Sequence, residues 1–213
     1  MSPSAASNGP GLVPRRRLTA ARRRRQLFDV AIETFALSGF DSTTMEEIAT
    51  AAGVTKPLLY QHFASKRALY LELIDDVSSR LLKALAEAAS GETTGWRRVL
   101  ADMQAYFLFV LQNQSAIRLL FDAPQDEELA RGLHALEDAM ASFVAPLVEA
   151  DIDDEHRRVV AAGVVGMTEG ITRAWLSSRR SSSVEDVHQE VLRLAHRAAE
   201  LAWGGLRSLR RDV

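Results

Sequence analysis

An all-α fold is predicted by three features of this 213-residue chain. Apolar residues recur at three- and four-residue steps along most of it, helix-capping residues and glycines punctuate those runs, and no segment beyond a few residues alternates apolar with polar side chains. With 47% hydrophobic residues, the chain has material for a real core. It has no cysteine, which excludes a disulfide framework or a thiolate metal site. The most apolar stretch, residues 105–111, is far short of the roughly 18 residues of a membrane span. A cytoplasmic protein with no membrane partner is expected.

The elements follow in order. Residues 1–18 are small and polar, with Pro3, Pro10 and Pro14 and then Arg15, Arg16 and Arg17, and read as a disordered basic arm. Thr19 caps a first helix, along which Leu27, Val30, Ala31, Thr34, Phe35 and Leu37 recur at helical spacing until Gly39 stops it. Thr44 with Glu47 three residues on is a capping-box pattern, so a second helix runs to about Ala52. Gly53 supplies a turn, Thr55 caps a third helix, and Pro57 stands in its first turn, where a missing N–H costs little.

Ser65 caps a long fourth helix, residues 66–89, with Leu69, Leu73, Val77, Leu81 and Leu85 on one face. After a break at 90–95 come helices over 96–112 and 113–121. The next is expected over 127–150 with a kink at Pro146, and the last two over 153–178 and 183–210.

Charge divides the chain. Residues 1–67 hold ten Lys and Arg against five Asp and Glu, whereas residues 68–213 hold sixteen against twenty-three. A basic first part on an acidic body points to a polyanion partner for the first part alone. There, two short helices joined at Gly53 have the layout of a helix-turn-helix, whose second helix enters the DNA major groove. Leu27, Val30, Ala31, Phe35, Phe40, Ile48, Ala49, Ala52, Val54, Leu59 and Phe63 supply a miniature core that leaves the other face free. On that face Lys56, Lys66 and Arg67 offer charge, and Thr44 and Thr55 offer a hydroxyl or a helix-terminal N–H to phosphate. Tyr60 and His62 offer hydrogen bonds from anchored rings, Gln61 can read adenine, and Pro57 and Leu58 can meet only thymine methyls.

The run Thr43-Thr44-Met45-Glu46-Glu47-Ile48-Ala49, then Ala52-Gly53-Val54-Thr55, then Leu59-Tyr60-Gln61-His62-Phe63, with Lys66 and Leu69, closely resembles the signature of TetR-family transcriptional regulators. The resemblance spans residues 24–73. It implies a helix-turn-helix DNA-binding domain at 19–67 and a helical domain at 68–213 that binds an effector and dimerises. It further implies a repressor that holds an operator as a dimer until a small ligand releases it. By position, Thr44, Thr55, Tyr60, His62 and Lys66 would touch phosphates, and Lys56, Pro57, Leu58 and Gln61 would lie nearest the bases.

Two features depart from the family pattern. Arg67 stands where an acidic residue is common, adding positive charge near the DNA. The arginine run, including Arg22, Arg23 and Arg24, is dense, and either follows the phosphate backbone and an adjacent minor groove or is a solvated electrostatic tail. That run also keeps open a second reading, a basic protein that binds nucleic acid or a membrane surface without sequence preference.

In the body, Met103, Phe107, Phe121, Phe143, Met167 and Trp175 are bulky enough to line a pocket, although such residues more often fill a core. Gln104, Glu169 and Thr172 are polar groups set among them, and a buried polar group needs a partner that a ligand could supply. An apolar small molecule is the expected effector. The last helix carries an apolar band wider than one neighbour requires. Val187, Val191, Leu194, Ala198 and Leu201, with Gly166 and Gly170 of the preceding helix, are expected at a four-helix interface with a second copy, the alternative being the core of a monomer. No metal-ligand spacing, nucleophile elbow or phosphate loop is present, so neither a cofactor nor an enzyme is expected.

Overall fold

The computed structural model describes residues 19–91, 95–121, 126–148, 150–178 and 184–209; the expected arm at 1–18, with Arg15, Arg16 and Arg17, lies outside them. Every regular element among the described residues is helical: α1 (Ala20–Ser38), α2 (Met45–Ala51), α3 (Lys56–His62), α4 (Lys66–Ala89), α5 (Gly95–Gln112), α6 (Gln114–Phe121), α7 (Glu127–Val144), a 3-10 turn (Ala145–Leu147), α8 (Asp154–Ser178) and α9 (Val184–Leu206). None of these helices is long and apolar enough to cross a membrane.

The helix starts are set by local chemistry. The Thr19 hydroxyl accepts from the Arg22 N–H, and that of Ser65 from the Ala68 N–H. Both halves of the Thr44–Glu47 capping box are made. Gly39 ends α1 at φ 77° with its N–H on the Phe35 carbonyl, and Gly53 turns between α2 and α3 at φ 63°; both conformations strain any residue with a Cβ. Thr55 differs from expectation. It stands at the N-cap position, but its hydroxyl makes no cap bond; its carbonyl instead takes the N–H groups of Leu58 and Leu59.

Pro146 also acts differently. The helix does not continue through it to residue 150 but stops at Val144 and tightens into the 3-10 turn, as expected where proline lacks an N–H and crowds the preceding turn.

One continuous apolar core runs from Leu27 in α1 to Ala202 in α9. The α4 stripe Leu69, Leu73, Val77, Leu81 and Leu85 is buried throughout. Helix α1 is covered on two sides, by α2 and by α6. Its second buried row is therefore Phe28 and Ile32, whereas Leu37, counted with the apolar face in sequence, is 86% exposed.

Tyr70 of α4 marks the junction with the body. It is fully buried, stands edge-on to Phe35 and Phe40, and donates its hydroxyl to the Leu119 carbonyl of α6 at 2.8 Å. Arg25 and Arg80 both reach Asp76, and Arg80 also donates to the Asn113 side chain, so charged groups fasten α1, α4 and the α5–α6 corner together.

Arg67 corrects a further expectation. Rather than adding charge at the DNA, it pairs with Asp126, the N-cap of α7, and lies 3.2 Å from the Glu128 carboxylate. The Arg67 hydrogen bond is the main reason that the Asp126 carboxyl titrates below its ordinary value of 3.8. A carboxyl whose folded pKa is depressed stabilises the fold above its unfolded pKa and loses that contribution as pH falls through the folded one. The melting temperature of Asp126→Asn, which keeps a capping side chain but not the charge, should accordingly lie below wild type at neutral pH. The gap should close as the pH is taken below 3.8.

Candidate DNA-binding surface and interior cavities

Helix α3 is held from beneath. Leu59 and Phe63 are buried with Ile48 and Ala49 of α2 and with Ala52, its C-cap, and the Val54 N–H returns to the Ala49 carbonyl at 2.9 Å. With those side chains turned inward, helical geometry brings Lys56, Pro57, Tyr60 and Gln61 to the outside. Thr44 and Thr55 are exposed at the two helix starts, while Leu58 and His62 are half-buried at the edges. Tyr60 is 45% exposed, unusual for so large a ring. Among the described residues Lys56 pairs with the exposed Glu46 carboxylate at 3.4 Å, a weak contact readily exchanged for a phosphate.

Two basic residues expected on the DNA are engaged elsewhere. Arg24 donates to the His62 carbonyl at 3.0 Å, pairs with Glu72 of α4, and lies 4.6 Å above the Phe63 ring. Lys66 donates to the Phe40 carbonyl at 2.7 Å and the Asp41 carbonyl at 3.2 Å, with its ammonium 4.4 Å above the Phe40 ring. Both fasten the ends of this unit, because unsatisfied helix- and loop-end carbonyls and ring faces lie within their reach. Arg22 and Arg23 stay at the surface, Arg23 bonded to Gln26.

The body holds two adjoining cavities. The first is walled by Leu85, Met103, Phe143, Val164, Val165 and Leu206 among others, with Arg98 and Asp102 of α5 as its charged residues. The second lies between Leu81, Phe121, Leu133, Glu137, Glu169 and Arg173. Tyr106, Met140, Val165 and Thr168 line both, so the two share a wall.

Of the residues expected around a ligand, Met103 and Phe143 therefore border the first cavity, and Phe121 and Glu169 the second. The other five do not line either. Gln104 is half-buried, about 200° around α5 from Asp102. Phe107 is 1% exposed within the core, and Met167 is partly buried against that core. Thr172 is buried, with its hydroxyl on the Thr168 carbonyl at 2.7 Å and 3.3 Å from the Tyr106 hydroxyl. Trp175 is buried and donates to Glu190 of α9 at 3.2 Å. The polar atoms of Thr172 and Trp175 found partners within the protein.

Sequence reasoning missed Arg98 and Asp102, whereas Met140, which lines both cavities, is one of the bulky residues that its pattern offers for a pocket. At i,i+4 on an amphipathic helix, Arg98 and Asp102 look like any surface ion pair. In the fold they are 17% and 18% exposed, with Arg98 Nε donating to Asp102 Oδ2 at 3.0 Å. Burial pushes the Asp102 carboxyl above its ordinary value, against the pull of Arg98. Burial likewise raises the Tyr106 hydroxyl and the Glu169 carboxyl, the latter helped by Glu137 and opposed by Arg173.

The expected dimer residues also separate into two groups. Val187, Val191 and Ala198 face inward and are buried within the chain, because α9 packs chiefly on α5. They are corrected to core. Gly166 and Gly170 lie on an exposed face of α8 that also presents Val159 and Gly163, and Leu201 of α9 is 62% exposed with Leu194 half-covered.

Residues 27–73 match the family model described as bacterial regulatory proteins, tetR family. The chain is also 30% identical over 194 residues to the HTH-type transcriptional activator FasR of Mycolicibacterium smegmatis, across 89% of this chain and 85% of that protein. The chain belongs to the TetR family. It is thus a DNA-binding transcriptional regulator and not an enzyme, and the α2–α3 pair is the TetR helix-turn-helix.

The whole fold is similar to a TetR-like regulator from Rhodococcus sp. RHA1 (TM-score 0.74, 24% identity, 91% of this chain and 100% of that one). It is also similar to the regulator FadR from Bacillus subtilis, solved in complex with stearoyl-CoA (TM-score 0.72, 15% identity, 85% and 98%).

Proposed function

We propose that this TetR-family regulator binds a pseudo-palindromic operator as a cytoplasmic homodimer and represses transcription until an apolar small molecule enters its helical body. The observation that carries the reading is the outer face of α3. Lys56, Pro57, Tyr60 and Gln61 stand exposed on a helix whose inner side chains are locked in a core. Residues 19–67 serve as the DNA-binding domain and 68–213 as the effector and dimer domain. The exposed face of α8 with Gly163, Gly166 and Gly170, beside Leu194 and Leu201 of α9, supports pairing with a second copy through close helix approach. Two α3 helices would then read half-sites centred about 34–36 Å apart or somewhat more.

The cavities support an apolar effector, a reading in keeping with FadR, a protein of similar fold solved in complex with stearoyl-CoA. A ligand that favours a conformer with wider α3 spacing shifts the population off DNA, a coupling of typically about 1–3 kcal/mol.

A genome-wide binding map followed by mobility shifts on the recovered duplex tests this. The expected result is a dimer-sized complex that survives random competitor DNA at physiological salt and dissociates with ligand. A strictly monomeric protein, or one with no preference among duplexes, overturns the reading and favours the non-specific basic protein. A second reading, activation, is favoured by the name of FasR. Target transcripts that fall rather than rise on deletion of the gene would select it.

A further inference from the structure

Among the described residues, one buried side-chain oxygen lacks a hydrogen-bond partner, Asp102 Oδ1, and Asp102 is a lining residue of the first cavity. Its twin Oδ2 holds Arg98 Nε at 3.0 Å. Nearly everything else around that cavity is aliphatic or aromatic, and the Tyr106 and Thr168 hydroxyls already bond within the protein. A carboxylate oxygen kept from water without a donor is costly, and the cost is relieved by whatever brings a donor.

We propose that Asp102 is the specificity-determining residue of this cavity, and that the cognate ligand is an apolar chain bearing a neutral hydroxyl group that donates to Asp102 Oδ1. The inference rests on the reading of the cavity as the effector site. Three alternatives of ligand chemistry fit less well. A carboxylate or phosphate head would be repelled by Asp102. An ammonium head would meet the guanidinium of Arg98, which already sits on the same carboxyl group. A plain hydrocarbon would fill the space and leave Oδ1 without a donor. A hydroxyl supplies the missing proton and leaves the Arg98–Asp102 pair in place. The carboxyl and guanidinium are held on successive turns of α5, so the acceptor is fixed in position before a ligand arrives.

The test uses the full-length protein and two probes of equal heavy-atom count, 1-decanol and nonyl methyl ether, which differ in having or lacking an O–H. Calorimetric titration of wild type should give decanol an affinity at least about tenfold higher, the scale of a hydrogen bond to a charged acceptor. In Asp102→Asn, Arg98 Nε–H retains the amide oxygen and turns the amide N–H₂ into the cavity. The preference should then vanish or invert toward the ether, which can only accept. A second variant, Arg98→Met/Asp102→Leu, replaces the pair by apolar side chains and should bind both probes alike; its melting curve and that of Asp102→Asn report folding. Equal wild-type affinities, or a preference that survives both variants, overturn the role of Asp102 and leave the effector cavity standing. Failure of both probes to bind wild type overturns the cavity reading, and this inference with it.

Discussion

Gln61→Ala is expected to lower operator affinity by a factor between about 30 and 10⁴ while barely changing affinity for random DNA. A bidentate glutamine–adenine contact is worth about 1–3 kcal/mol of discrimination, and a two-fold dimer loses it in both half-sites, so the loss is about 2–6 kcal/mol. Gln61 lies on the exposed face of α3, clear of the core formed by Leu59 and Phe63, so the variant should fold within about 0.5 kcal/mol of wild type. Lys56→Ala provides the contrast. A lysine that meets phosphate contributes equally on every duplex. Its removal should weaken operator and random DNA together and flatten the log K against log[salt] slope by about 0.9 per half-site. Fluorescence anisotropy with operator and scrambled duplexes at several salt concentrations separates the two behaviours. Equal losses on both duplexes for Gln61→Ala would remove it from base reading.

The same contrast explains what was legible in the sequence. Element starts and stops were readable, because Thr19, Thr44 with Glu47, Ser65, Gly39 and Gly53 act on backbone groups within four residues. The α4 stripe and the helix-turn-helix core were readable because periodicity reports which face is apolar. What covers that face is not local. The wide apolar band of α9 was read as a dimer surface, but α5 of the same chain covers Val187, Val191 and Ala198, leaving Leu201 outside. Leu37 has the right spacing, yet packing leaves it 86% exposed.

Charges show the same limit more sharply. Arg24, Lys66 and Arg67 advertise a polyanion partner in sequence, yet their ligands are the His62 carbonyl and Glu72, the Phe40 carbonyl, and Asp126. Those partners lie between 26 and 59 residues away in sequence, far beyond the reach of local spacing. Asp102 is the reverse case. Its spacing from Arg98 marks an ordinary surface pair, and only the packing of α7, α8 and α9 over α5 turns it into a cavity residue.

Tyr70→Ala is expected to destabilise the protein by about 3–5 kcal/mol, the range for removing a large aromatic from a packed core. That is a third or more of the stability of many domains, which lies at about 5–15 kcal/mol. The ring is fully buried and wedged edge-on between Phe35 and Phe40, so the cavity left behind borders α1, the loop after it and α6 together. Tyr70→Phe isolates the hydroxyl. Leu119 is two residues from the end of α6, where carbonyls have no partner in their own helix, and the Tyr70 hydroxyl supplies one. Losing that donor should cost about 1–3 kcal/mol, read as a lower urea midpoint at unchanged m-value.

The second consequence concerns coupling. Tyr70 touches the aromatic residues that carry the helix-turn-helix and the carbonyl end of a helix in the body. On the proposed effector response, a displacement of α6 would be transmitted to α4 through this contact. In Tyr70→Phe the ratio of operator affinities without and with effector should fall toward one, while affinity without effector stays within a few-fold of wild type. A variant that unfolds at the wild-type midpoint and keeps the full ratio would show that the two units communicate along α4 by another route.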